Sequence, residues 1–241
     1  MVRVTGCGEN WNRAYVEAPE IFDAFCRAED PDGLISRLIR KHGALEGRTV
    51  LEIGCGTGRY TREWASLADR YVALERSPNM LALARRHCGD VSNGLGLLCA
   101  DAARLPLASE TVDRVLAGWV VVNLRPAVRR RVLDETARVL RRRPGAGLWL
   151  VENHWSGEFQ QLRGRRSEVD QARVRALMDE QGFSELDVVK TELRFPSAGE
   201  AERVLGWLCG DGVRRKLRER PVARLTHHVV ILHRPAAQCR R

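Results

Sequence analysis

The chain is 241 residues long, 44% hydrophobic and 29% charged, with a net charge of +9 and an isoelectric point near 9.7. That length buries a sizeable core in one domain, and no segment approaches the run of about 20 apolar residues that a membrane helix needs. The basic balance raises nucleic acid as a partner, yet 37 of the 40 basic residues are arginine, a bias that codon composition produces without any binding function.

Met1 to Asn10 are mixed and polar, with neither a basic start before an apolar core nor a small-residue cleavage site, so the expected location is the cytoplasm. Trp11, Tyr15, Ile21, Phe22 and Phe25, then Leu34, Ile35, Leu38 and Ile39, form two amphipathic helical stretches separated by Glu29 to Gly33. Together, residues 1–46 read as a helical cap laid before the first strand.

Val50-Leu51-Glu52-Ile53 is an apolar strand that runs into Gly54-Cys55-Gly56-Thr57-Gly58 and then a helix. Glycine lacks a Cβ, so this turn admits left-handed backbone and lets a nucleotide-like ligand lie against bare main-chain N–H groups. A dinucleotide fingerprint would place its third glycine at position 59, where this chain has Arg59, and the spacing argues against NAD. Tyr71 to Glu75 is a second strand ending in a carboxylate. Such a residue about 20 positions past a glycine turn can accept hydrogen bonds from both ribose hydroxyls. In the turn that follows, Ser77 or Asn79 caps the next helix and Met80 packs. Leu95 to Cys99 is the third strand and runs into Asp101-Ala102.

Val112 to Ala117 is the fourth strand. Its exit, Gly118 to Leu124, lies beyond a carboxyl end, where open sheets place ligands, which makes Trp119 and Asn123 pocket candidates. Pro126 opens a helix whose apolar face recurs through Val139 and Leu140 and which stops at Pro144-Gly145. Leu148 to Glu152 is the fifth strand, followed by Asn153-His154-Trp155. Ser167-Glu168-Val169-Asp170 reads as a capping box that opens a helix ending near Gly182. Leu186 to Phe195 alternates as a strand, a helix covers about 199–209, a basic stretch reaches Arg220, and Thr226 to His233 is the last strand. His227 and His228 are expected to face core and solvent.

The clusters Arg129 to Arg131, Arg141 to Arg143 and Arg214-Arg215 fall on helices or their ends, where a solvated face explains them. The seven cysteines (Cys7, Cys26, Cys55, Cys88, Cys99, Cys209 and Cys239) are scattered and never spaced Cys-x-x-Cys, which speaks against disulfides and zinc. No histidine lies near Cys55 in sequence, so that thiol reads as filler. No His/Cys/Asp cluster has metal-ligand spacing, and no metal is expected.

The run E-x-G-x-G-x-G from Glu52 to Gly58, followed by Glu75 and Asp101, resembles class I S-adenosylmethionine-dependent methyltransferases, in particular the ubiquinone/menaquinone-methyltransferase-like, small-molecule branch. The resemblance is motif-specific over about residues 47–155 and elsewhere rests on element order. It implies an α/β fold, a Rossmann-like doubly wound seven-stranded mostly parallel sheet with an N-terminal helical cap, in a single domain spanning 1–241. Within it, 1–46 is the cap, 47–155 the cofactor core and 156–241 the part completing the sheet. It also implies S-adenosyl-L-methionine as cofactor, with S-adenosyl-L-homocysteine as product. Glu52, Gly54, Cys55, Gly56 and Gly58 then lie at the cofactor, Glu75 holds the ribose with Arg76 and Met80 beside it, and Asp101 and the Ala102 N–H take the adenine. Trp119 joins this set, and Tyr15 is the cap aromatic whose hydroxyl would approach the methionine carboxylate; an amphipathic-core role for Tyr15 stays open.

His154 is the candidate base and Asn123 a candidate positioning residue, with Glu152 and Asn153 as groups that would orient His154; a packing or surface role for His154 is the alternative. Where the family often has His-His near this end, the chain has Val122-Asn123, which removes an obvious base. Asn123-Leu124-Arg125-Pro126 does not match the run of amino-directed nucleic-acid enzymes, and no Pro-Cys nucleophile occurs. The expected acceptor is a small molecule. An RNA or protein methyltransferase and a non-catalytic cofactor-binding protein remain the alternatives, and the oligomeric state is left open.

Overall fold

Five apolar runs become parallel strands because helices cover both of their faces, which rewards continuous rather than alternating hydrophobicity. The computed structural model describes residues 10–89 and 94–239, so the first nine residues of the cap, Cys7 among them, lie outside the described residues. The parallel strands are β1 (Thr49–Ile53), β2 (Arg70–Glu75), β3 (Leu95–Cys99), β4 (Arg114–Gly118) and β5 (Gly147–Asn153). With β6 (Ser184–Arg194) and β7 (Arg224–Pro235) they form a seven-stranded sheet ordered β3-β2-β1-β4-β5-β7-β6, in which β7 is antiparallel to both neighbours. β1 lies between β2 and β4, so the strand order reverses there, and the crevice at the carboxyl ends of these strands is where such a sheet receives a ligand.

The helices are α1 (Trp11–Glu17), α2 (Pro19–Ala28), α3 (Leu34–Gly43), α4 (Arg59–Trp64), α5 (Pro78–Cys88), α6 (Pro126–Val139), α7 (Glu158–Arg163), α8 (Arg165–Gln181), α9 (Ala198–Cys209) and α10 (Asp211–Glu219). One sheet face packs Leu51, Ile53 and Val115 on Leu133 of α6 and Leu177 of α8. The other packs Val50, Tyr71 and Ala73 on Ile35 and Ile39 of α3 and Trp64 of α4. A third cluster joins Ile21 and Phe25 of α2 to Leu205, Leu208 and Leu217 of α9 and α10. The cap therefore shares a core with helices from the far end of the chain, which hold it over the carboxyl edge of the sheet.

Several local expectations change. The aromatic-rich first stretch divides into α1 and α2 because Pro19 takes the first turn of a new helix, where its missing N–H costs nothing. The capping box at Ser167 does not open its helix: α8 begins two residues earlier behind Gly164, and Asp170 instead pairs with Arg163 at 2.8 Å. The basic stretch after Cys209 is α10, where Val213 and Leu217, four positions apart, bury one side. At the amino ends of the strands, Arg141 and Arg143 reach Asp113 at 3.0 and 2.5 Å, and Arg142 reaches Glu110 at 3.2 Å. That arginine cluster is thus engaged with carboxylates of its own chain. Among the described residues no helix is long and apolar enough to cross a membrane.

Candidate cofactor and acceptor site

The glycine turn is tied down by its own amides. The Gly54 and Cys55 N–H groups both donate to Leu74 O, at 2.7 and 3.1 Å, and Gly58 N–H donates to Cys55 O at 2.9 Å. Gly56 N–H donates to Glu75 Oε2 at 3.2 Å. Four amides of the turn expected from sequence as a bare cradle, those of Gly54, Cys55, Gly56 and Gly58, are therefore spent internally, and what the turn offers a ligand is mainly close approach to backbone. A Cβ on Gly54 (φ +73°) would sit 2.4 Å from Val120 Cγ2, and one on Gly58 would sit 3.0 Å from Ala84 Cα and Cys88 Sγ. These two positions are glycine because neighbours crowd them. Gly56 differs: a Cβ there meets only the Phe22 ring at 3.5 Å and Met80 Cε at 4.0 Å. This is the face of the turn left open, between an aromatic ring of the cap and a methionine of α5.

Glu52 is 5% exposed and uses Oε2 to accept from Thr61 Oγ1 at 2.6 Å and Tyr71 OH at 2.9 Å, linking the start of α4 to β2. Burial pushes its carboxyl up to about 7 against the pull of those two donors. Cys55 is also buried, and burial raises its thiol far above the ordinary value, which leaves no thiolate for nucleophilic work.

At the end of β2 Glu75 is half-buried, its Oε1 accepting Ser77 N–H at 2.7 Å. Two backbone donors thus fix both carboxylate oxygens while leaving further lone pairs available. Ser77 caps α5 by accepting Met80 N–H at 3.4 Å, and its hydroxyl donates to Tyr15 O at 3.3 Å. Tyr15 stands beside Glu75 and packs edge-on against Phe22 at 5.1 Å. Its hydroxyl is held protonated by burial and then by the Glu75 charge. Met80 is buried and Arg76 exposed. Beyond β3, exposed Asp101 accepts Ala103 N–H at 2.9 Å, while Ala100 N–H donates to Glu75 O at 3.2 Å, so the Asp101-Ala102 turn opens directly beside Glu75.

The second half of the crevice lies beyond β4 and β5. Trp119 adopts φ +53°, a strained angle for a bulky residue, and the fold holds it from three sides. Its N–H donates to Val151 O at 2.7 Å, its indole Nε1 donates to Asn153 Oδ1 at 3.0 Å, and its carbonyl accepts Asn123 Nδ2 at 2.7 Å. The ring continues a stack with Tyr60 (6.3 Å) and Trp64 (4.4 Å from Tyr60). Asn123 and Asn153 thus both act on Trp119.

His154 stacks on Trp155 with centroids 3.8 Å apart, and its Nδ1 lies 2.7 Å from Ser156 Oγ, which in turn lies 2.7 Å from His228 Nδ1. Ser156 N–H also donates to His154 Nδ1 at 3.2 Å. A nitrogen that accepts a backbone N–H carries no proton, so the bonding pattern assigns the neutral ring's proton to Nε2. Burial, then His228, lowers the ring's pKa. Glu152 does not orient it: that carboxyl is buried, accepts Val122 N–H at 3.1 Å and is raised to about 8 by burial. Ser156 takes the orienting role, and nothing in the sequence separates it from any other loop serine.

The residues fit an adenosyl ligand. Glu75 offers a fixed carboxylate, Asp101 and Ala102 adjoin it, and the open face of Gly56 is bounded by Phe22 and Met80. Residues 51–145 match the family described as "Methyltransferase domain". The matched stretch contains the glycine turn, Glu75 and Asp101, the residues whose motifs resemble class I S-adenosylmethionine-dependent methyltransferases. It is 35% identical over 111 residues to malonyl-[acyl-carrier protein] O-methyltransferase of Pectobacterium atrosepticum, covering 44% of this chain and 41% of that protein. It is 34% identical over 110 residues to demethylmenaquinone methyltransferase of Beutenbergia cavernae, covering 46% and 42% respectively. The chain thus spans less than half the length of these relatives. Among solved structures, the N-methyltransferase NodS of Bradyrhizobium japonicum WM9, a complex with S-adenosyl-L-homocysteine, shares the fold with a TM-score of 0.51 and 16% identity, covering 95% of this chain and 93% of that one.

Proposed function

We propose that this chain is an S-adenosylmethionine-dependent methyltransferase acting on a small-molecule acceptor. The observation that carries the reading is Glu75, a strand-end carboxylate fixed by Gly56 and Ser77 N–H groups, overhung by Tyr15 and flanked by Asp101. When bound, the sulfonium cofactor supplies an activated methyl group and a good leaving group. The chain's own work is alignment and exclusion of water. Glu75 would accept from the ribose hydroxyls, Asp101 and the Ala102 N–H would take the adenine edge, and the open face of Gly56 would let the ligand lie close to backbone, with Met80 and Arg76 beside it.

The acceptor side is aromatic, with Trp119 and Trp155 beyond β4 and β5 and Phe22 in the cap, which suits a flat or apolar molecule. Relatives named malonyl-[acyl-carrier protein] O-methyltransferase and demethylmenaquinone methyltransferase support the small-molecule reading. His154 follows β5 as an Nε2–H donor, so it would hold the acceptor's polar group, and service as a base would first require the opposite tautomer. Asn123 acts through Trp119. The paired state of Arg141 to Arg143 weighs against a nucleic-acid acceptor.

Calorimetry with S-adenosylmethionine and S-adenosylhomocysteine tests the core of the reading: binding of both is expected, and absence of heat with either would overturn it. A chain that binds both yet methylates none of a broad panel of phenols, quinols, carboxylates and amines would instead be a cofactor-binding protein without turnover.

A further inference from the structure

Arg59 is the residue that excludes a dinucleotide fingerprint, and the cofactor reading gives it no task. It opens α4 directly after the glycine turn, is largely buried, and points away from the crevice into the cap. Its guanidinium donates to Glu29 twice, through Nη1 to Oε2 at 2.6 Å and through Nη2 to the main-chain oxygen at 2.6 Å, with Asp30 Oδ2 at 3.9 Å. It also lies over the Tyr60 ring at 4.6 Å. A planar fork that grips the side chain and backbone of one residue fixes orientation as well as distance, which a lysine could not do.

Glu29 is the C-terminal cap residue of α2, the helix whose Phe22 bounds the open face of Gly56. Residues 29 and 30 gather other elements. Glu29 bridges Leu193 of β6, and the Asp30 carboxylate accepts Leu34 and Ile35 N–H at the start of α3 and Thr191 Oγ1 of β6 at 2.8 Å. Asp30 holds φ +52° to do so. On the far side, His227 Nε2 of β7 lies 3.3 Å from Glu29 Oε1, at 0% exposure. Residues 29 and 30 are therefore tied to β6 and to the start of α3, and Arg59 is the arm by which the cofactor turn holds them.

Resting on the cofactor reading above, we propose that Arg59 is a positioning residue that latches the cap over the bound cofactor by gripping Glu29, and so sets how long the cofactor stays. Loss of the grip frees the α2 end from the turn while leaving Glu75, Gly56 and Asp101 in place. Dissociation is then affected more than the contacts themselves.

The test uses the whole chain and S-adenosylhomocysteine as the probe, with dissociation followed by stopped-flow tryptophan fluorescence and hydrogen exchange measured over residues 11–28. Arg59→Met is expected to raise the dissociation rate about tenfold or more, consistent with loss of charge-assisted hydrogen bonds, and to raise exchange in α1 and α2 while β1 and β2 stay protected. Glu29→Gln is expected to fall between, because its amide oxygen and the unchanged main-chain carbonyl still accept. The double variant should dissociate no faster than Arg59→Met alone. An unchanged dissociation rate in Arg59→Met, additive effects in the double variant, or exchange that rises across the sheet instead of the cap would each overturn the latch. If Arg59→Met does not fold, Arg59→Lys carries the same expectation with a smaller increase, and a wild-type rate there would also overturn it. Wild-type protein that fails to bind S-adenosylhomocysteine would defeat the cofactor reading itself, an outcome distinct from these.

Discussion

The two halves of the crevice are built by opposite means. At the ends of β1, β2 and β3, backbone amides fix a carboxylate, and the open face of the glycine turn is bounded by a cap ring and a methionine. At the ends of β4 and β5, aromatic rings form the surface, and nearly every nearby polar atom is committed to holding a ring: Asn123 and Asn153 hold Trp119, and Ser156 holds His154. The first half keeps lone pairs for a ligand and the second keeps shape. That division suits a reaction whose donor must be recognised closely while its acceptor needs mainly to be placed.

The largest expected effect lies in the first half. Glu75→Ala removes two charge-assisted acceptors, about 1.5 kcal/mol each at the low end, so affinity for S-adenosylhomocysteine should fall about a hundredfold or more. The melting temperature should change little, since the freed Gly56 and Ser77 amides sit near solvent. Affinity within threefold of wild type would erase the contrast between the halves. The glycines sharpen it further. Gly54→Ala combines a left-handed backbone with a 2.4 Å approach to Val120 and should lower the melting temperature by about 5 °C or more. Gly56→Ala has room for its methyl group, should cost about half as much stability, and should lose proportionately more cofactor affinity, because the added carbon occupies the face between Phe22 and Met80. Equal ratios of stability loss to affinity loss would assign both glycines to packing.

The first half was also the legible one, and for the same physical reason. Glu75, Gly56 and Asp101 stand at strand ends, so spacing along the chain reports their placement, and the sheet follows from apolar runs buried on both faces. The cap's partner was not legible, because Phe25 packs on Leu205 and Leu208 across most of the chain and no periodicity encodes a contact at that separation. Ser156 and Glu29 were missed for the same reason. The capping box at Ser167 failed because Gly164 breaks the chain one turn earlier, releasing α7 as a separate helix. Glu152 and Asn153 were expected to steer His154, but alternation along β5 sends Glu152 to the Val122 side, and Asn153 is taken by the Trp119 indole.

Effects in the second half should be smaller and of a different kind. Asn153→Ala frees the Trp119 indole N–H and is expected to speed its hydrogen exchange about tenfold, with S-adenosylhomocysteine affinity within twofold of wild type. A large affinity loss would mean that the ring belongs to the cofactor side. For His154, nitrogen-15 NMR should show a protonated Nε2 and an acceptor-type Nδ1 at neutral pH. Once an acceptor is known, His154→Ala should lower turnover without removing the acidic limb of the pH profile. Loss of that limb would mean that the ring changes tautomer and serves as a base.

The smallest expected effect concerns two buried carboxyls, one serving each half. Burial raises Glu52 to about 7 and Glu152 to about 8, from 4.5 for the ordinary group. Between the ordinary and raised values the folded chain binds more protons than the unfolded one, so their contribution to stability is complete at low pH and is lost as pH rises through 7 and 8. His227, lowered to about 3 by burial, runs the other way, but its influence ends once pH exceeds its ordinary 6.5. From pH 6.5 to 8.5 the melting temperature should therefore decline, and the decline should flatten in Glu152→Gln and Glu52→Gln. Each variant reports on its own half: Glu152 holds the turn that follows Trp119, and Glu52 links α4 to β2 behind the glycine turn. A decline that persists unchanged in both would place it on Glu29, the carboxyl beside Arg59 that burial also raises to about 7, and would remove Glu52 and Glu152 from the account.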